Sequence, residues 1–298
     1  MSSDNQFLDP ATLQRTEMLG LQARQIVEGY MAGEHQSPYR GFAIEFTQHR
    51  EYVPGDDTRH LDWKVLGRSD RYYIKQYEQE TNYVAHIVLD GSESMKYGSG
   101  EKTKFDYART MAATLAYLIL LQRDAASLAI FDTKVQSYKP RTDNLNSIHD
   151  FMRALAAFEP GEKTDIAAVL HDLALKIRRK GIVILISDFL DSEDEVLRGI
   201  QHLRFQGSEV IVFHVLDKYE LEFPFKGVVE FLGLEGAQKY LTKPAELRKS
   251  YLAELNAFTE KLRAGCERNG CNYVLVNTAT PWHEVLGSYL ATRQHRYR

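Results

Sequence analysis

From residue 84 onward, short runs of β-branched and aliphatic residues alternate with longer stretches of helical spacing, and this alternation restricts the fold more than any other feature of the chain. The apolar runs are Val84–Leu89, Ala126–Phe131, Ile182–Ser187, Glu209–Leu216 and Cys271–Val276. The helical stretches are Phe105–Gln122, Leu145–Phe158, Ile166–Arg179, a segment from an Asp191-Ser192 cap to Phe205, Pro244–Arg268 and Pro281–Ala291. Val135–Tyr138 is expected as a short hairpin partner, and Leu221–Leu234 as short strand and turns. Strands that are apolar throughout are those covered on both faces. The expected fold class is therefore α/β, a mostly parallel sheet with helices on both sides.

Two of these runs end in carboxylates. Val84–Leu89 stops at Asp90, Gly91 permits a tight turn, and hydroxyls follow at Ser92 and Ser94. Gly181–Ser187 stops at Asp188, and between the two runs Gly161–Asp165 carries Thr164 in a loop. Acidic groups at the carboxyl ends of strands lie where open α/β sheets bind ligands. Oxygen donors without thiolate or imidazole suit magnesium, calcium or manganese better than zinc. Taken alone, Asp90, Ser92 and Ser94 are also what a capping turn after a strand requires. Taken in order, Asp90, Ser92, Ser94, Thr164 and Asp188 resemble the metal-ion-dependent adhesion site of von Willebrand factor type A domains. The resemblance implies that the two serines and the threonine bind the ion directly or through water, and that the two aspartates hold its waters. Neutral hydroxyl ligands leave the ion's charge largely uncompensated, so an acidic residue of a partner protein can complete its coordination.

Residues 1–80 precede the first core strand and are expected to form a helical segment and a small β/turn subdomain, with the main domain spanning 81–298. Asp9-Pro10 can start a helix running through Tyr30, while Tyr39–Phe46 and Arg71–Tyr77 have strand character. Between them, Arg50–Trp63 gathers four acids, two arginines and a tryptophan into fourteen residues around a Pro54-Gly55 turn. The plainer account is a structural turn in which Arg59 pairs with Asp56, Asp57 or Asp62 and Trp63 packs as an aromatic cover; the other is direct partner binding. The tract Tyr52-x-Pro-Gly-Asp-Asp-x-Arg-x-x-Asp-Trp63, followed by Asp-x-Ser-x-Ser, resembles a bacterial family known as domain-of-unknown-function family fifty-eight. The resemblance runs from about Gly41 to the C-terminus and includes Asp217–Phe225. It implies a von Willebrand factor A-like fold and a MoxR-type AAA+ ATPase as partner, since members are typically encoded beside such ATPases. Some relatives carry transmembrane helices ahead of this region.

The composition, 44% hydrophobic and 26% charged, is that of a globular protein, and a net charge of −4 speaks against a general binder of nucleic acid. Cys266 and Cys271 have no second pair nearby and are expected as reduced thiols. No segment has the form of a signal peptide or membrane span, so a cytoplasmic protein is expected. Gly98–Thr103 lacks the spacing of a phosphate-binding loop. The leading function is a non-enzymatic interaction module using Mg2+, Mn2+ or Ca2+, an adaptor or co-chaperone joining the ATPase to an acidic-residue-bearing client. The alternative is a metal-dependent phosphoesterase or nuclease on the same sheet edge. Such enzymes usually place a second carboxylate two residues after the first, and here Ser92 holds that position.

Overall fold

A computed structural model describes residues 44–53, 61–69, 71–79, 84–121, 123–161, 166–177, 181–232, 239–282 and 284–289. The expected N-terminal helix, the Pro54–His60 tract with Asp56, Asp57 and Arg59, and Thr164 lie outside the described residues. The chain divides into two compact units, one of them Tyr30–Asn82. In that smaller unit, β1 (Ile44–Glu51) pairs antiparallel with β2 (Tyr73–Gln79), with α1 (Trp63–Ser69) between them in sequence. Asp62 starts α1: its Oδ1 accepts the Val65 amide at 3.2 Å, while its own amide donates to the Tyr73 carbonyl at 2.8 Å. Asp62 is thus a buried cap. Trp63, expected as an aromatic cover, is instead 67% exposed at the helix start, because Asp62 and Leu61 take the buried positions.

In the larger unit, β3 (Val84–Asp90), α2 (Lys104–Leu121), β4 (Ala125–Phe131), β5 (Val135–Thr142), α3 (Ile148–Ala157), α4 (Ile166–Lys176), β6 (Gly181–Ser187), α5 (Glu193–Phe205) and β7 (Glu209–Leu216) follow in turn. They are succeeded by α6 (Lys218–Glu222), the β8–β9 hairpin (Val229–Leu232, Lys239–Thr242), α7 (Pro244–Arg268) and β10 (Asn272–Asn277). Six strands form one sheet in the order β10-β7-β6-β3-β4-β5, parallel except for β5, which pairs antiparallel with β4 at one edge. This is a doubly wound sheet. The chain builds outward from β3 through β4 and β5, then returns to the other side of β3 with β6, β7 and β10, so the order reverses between β3 and β6.

Alternate residues of each strand face opposite helix layers. Ile182, Ile184 and Ile186 pack with Ile87, Leu89 and residues of α2 and α3; Val183 and Leu185 pack with Val88 and residues of α4, α5 and α7. Both faces are covered, which is why the strand sequences are continuously apolar. Val229–Leu232 is a strand within the expected strand-and-turn segment, and just before that segment an unexpected cap forms: Asp217 Oδ1 accepts the Tyr219 amide at 2.7 Å and Glu220 Oε2 accepts the Asp217 amide at 2.7 Å. This reciprocal cap nucleates α6. Among the described residues, no helix is long and apolar enough to cross a membrane.

The core also holds a neutral histidine. His214 Nδ1 lies 2.6 Å from the Tyr273 hydroxyl, with Phe189 and Phe258 edge-on to the ring. Burial depresses its pKa from 6.5 to about 4. Between those values the unfolded chain binds a proton that the folded chain refuses, so this residue's contribution to stability is lost as pH falls through the window. Urea unfolding of the wild type should therefore weaken more between pH 7 and pH 4.5 than that of a His214→Phe/Tyr273→Phe variant, by at most about 3 kcal/mol. Equal acid sensitivity of the two proteins would refute the assignment.

Candidate functional site

The β3–β6 register places Leu89 opposite Ile186, so Asp90 comes level with Ser187 and Asp188 follows one step beyond. Parallel neighbours lie about 4.8 Å apart, so both carboxylates meet at the point where the sheet order reverses. Asp90 is fully buried; its Oδ1 accepts the Ser92 amide at 2.8 Å and its Oδ2 accepts the Ser187 hydroxyl at 2.5 Å. Burial, reinforced by the charge of Asp188, pushes its pKa up to about 7 against the pull of those hydrogen bonds.

The loop after Asp90 is shaped by its neighbours. The Gly91 amide donates to the Phe131 carbonyl at 2.6 Å, and the Gly91 carbonyl accepts the Gly161 amide at 3.1 Å. A Cβ at position 91 would stand 2.2 Å from the Phe158 ring, which is why a glycine is required. Buried Met95 anchors the 3-10 turn Glu93–Lys96 that follows. The turn brings the hydroxyl oxygens of Ser92 and Ser94 to 3.0 Å from each other, with both side chains buried.

Asp188 is held from two sides. Its Oδ2 accepts Lys104 Nζ at 2.7 Å, and its Oδ1 accepts the Leu190 amide at 3.3 Å. Lys104 is buried and also donates to Glu220 Oε1 at 2.8 Å. Burial alone would lower its pKa, but Asp188 and then Glu220 outweigh it and hold the ammonium above the ordinary lysine range. Phe189 adopts a left-handed backbone with φ 51°, and its amide donates to Ser187 Oγ at 2.8 Å. Asp191 Oδ2 accepts the Ile166 amide at 3.2 Å, tying this loop to the start of α4.

Asp90, Ser92, Ser94 and Asp188 are therefore brought together, while Thr164 lies outside the described residues. Sequence reasoning took Ser187 only as a strand end and Asp191 only as part of a cap, and passed over Lys104 and Glu220, although all four support the carboxylates or their loops. Among the described residues, no three histidine, cysteine or acidic side chains gather as a metal cage, so a cation here would depend on hydroxyl ligands. The donor set fits one. Magnesium–oxygen bonds of about 2.0–2.1 Å put adjacent corners of an octahedron roughly 2.9 Å apart, close to the serine pair's separation. Substituting Gly91→Ala should displace Phe158 and the serine turn, lowering stability by about 1–3 kcal/mol in denaturant titration. Wild-type stability in that variant would show the close approach to be unimportant.

Comparison with known sequences bears on the whole chain. It is 25% identical over 293 residues to the uncharacterized proteins Rv1480 of Mycobacterium tuberculosis and Mb1516 of Mycobacterium bovis, covering 96% of this chain and 91% of each relative. Similar solved structures include BatB from Bacteroides thetaiotaomicron, at 14% identity and a TM-score of 0.48 over 72% of this chain and 99% of that one. The SpRpn10 VWA domain is similar at 13% identity and a TM-score of 0.40 over 71% and 95%. The profile of the protein family of unknown function DUF58 matches residues 48–261. The sheet is doubly wound with one antiparallel edge strand, and the chain belongs to the DUF58 family.

Proposed function

We propose that the chain is a protein-interaction module that captures an acidic side chain of a partner through a divalent cation at the carboxyl edge of its sheet. The single observation that carries this reading is the Ser92–Ser94 oxygen pair, 3.0 Å apart, beside two buried carboxylates where the strand order reverses. Ser92, Ser94 and Thr164 would hold the ion, with Mg2+ favoured and Mn2+ or Ca2+ as substitutes; Asp90 and Asp188 would order its waters. The bound ion supplies a Lewis-acidic position for a carboxylate.

The protein's own groups do the remaining work. Ser187 and the Ser92 amide orient Asp90. Lys104 and the Leu190 amide do the same for Asp188. Leu190, 46% exposed, offers a partner an apolar contact beside the acid-binding position. The neutrality of the hydroxyl ligands supports docking over hydrolysis, since the ion keeps its attraction for an anion. Membership of the DUF58 family supports a MoxR-type AAA+ ATPase as the working partner, with an acidic-residue-bearing client at the ion and the cytoplasm as the setting.

A pulldown of partners from the native cell should lose its specific bands when Mg2+ is replaced by chelator. Ser92→Ala should lose the same bands while its thermal unfolding stays within about 1 kcal/mol of wild type. Identical capture with chelator present would sink the proposal.

A further inference from the structure

Lys104 occupies an unfavourable place for a cation, at the first position of α2, where the helix dipole opposes positive charge. None of its side chain is exposed, and its ammonium is committed to Asp188 and Glu220, with the Tyr97 ring centroid 5.9 Å away. When ionised, the buried Asp90 and Asp188 and the partly exposed Glu220 bring three negative charges to one place, and Lys104 cancels one of them. A divalent cation then brings the cluster to neutrality. Without the lysine, the loaded cluster would remain negative and repel an incoming carboxylate.

We propose that Lys104 sets the charge of the site: it weakens the hold on the cation and makes the loaded site receptive to an anionic side chain. This inference rests on the cation-dependent docking proposed above. Lys104 acts through Asp188 and is a positioning residue. A purely structural ion pair would tie α2 to the β6 end and to α6, and would move stability alone. A charge-setting residue moves two affinities in opposite directions, toward the cation and toward the anion.

The test uses the full chain, Mn2+ as the cation and acetate as the probe carboxylate. Manganese binding is followed by electron paramagnetic resonance, and acetate by the loss of water-proton relaxation at the bound ion. Lys104→Gln should bind Mn2+ about tenfold more tightly and require about tenfold more acetate to displace the bound water. Glu220→Gln, which retains the Lys104–Asp188 pair, should shift both affinities the other way. If Lys104→Gln fails to fold, Glu220→Gln still decides, because an unchanged or tighter grip on Mn2+ in that variant overturns the inference. Wild-type affinities in both folded variants overturn the role of Lys104 while leaving the docking site intact. Failure of the wild type to bind Mn2+ overturns the docking site and the role of Lys104 together.

Discussion

Asp90 and Asp188 lie at the ends of neighbouring parallel strands, and their removal from water, reinforced by their mutual repulsion, is the constraint around which the carboxyl edge is built. A buried carboxylate is tolerated only when donors replace its lost hydration. Asp90 draws on the Ser187 hydroxyl and the Ser92 amide, and Asp188 on Lys104 and the Leu190 amide. Each donor imposes a further requirement. Ser187 Oγ in turn accepts the Phe189 amide, and Lys104 needs Glu220, whose other oxygen caps α6. The loops, the start of α2 and the short helix after β7 are therefore consequences of one electrostatic problem.

Where the signal was local, the chain could be read without its structure. The strand Glu209–Leu216 and the helix Pro244–Arg268 have the expected limits, because each is bounded by residues that cannot extend it or that start it cleanly. Asp90 and Asp188 were visible as acids closing apolar runs. Lys104 and Glu220 were not, because the ion pairs of Lys104 with Asp188 and Glu220 cross 84 and 116 positions of sequence, and no local pattern encodes such a meeting. Two clues were nonetheless present: a cation at the start of a helix, against its dipole, and the Asp217-x-x-Glu220 spacing of a reciprocal cap. Trp63 illustrates the opposite error. Aromatic character suggested burial, but the helix it opens is rooted by Asp62 and Leu61 instead.

The two helix layers explain why the site is stiff. Each strand sends successive side chains into opposite cores, so a carboxylate at a strand end inherits the position of a backbone clamped from both faces. The serine turn is pinned by Met95 on one side and by the Gly91–Phe158 approach on the other. A position held in this way would lose little conformational freedom on taking up the proposed ligand.

The antiparallel strand β5 closes one side of the sheet, and its composition has a consequence for how copies of the chain behave when crowded. Its sequence contains Lys139, Pro140 and Arg141, and its pairing with β4 slips between Ala126 and Leu128. Proline has no amide hydrogen to offer a neighbouring strand, and the flanking cations repel another copy of themselves. The border is thereby blunted against zipping into filaments, so the protein can be held at high local density without polymerising through that margin.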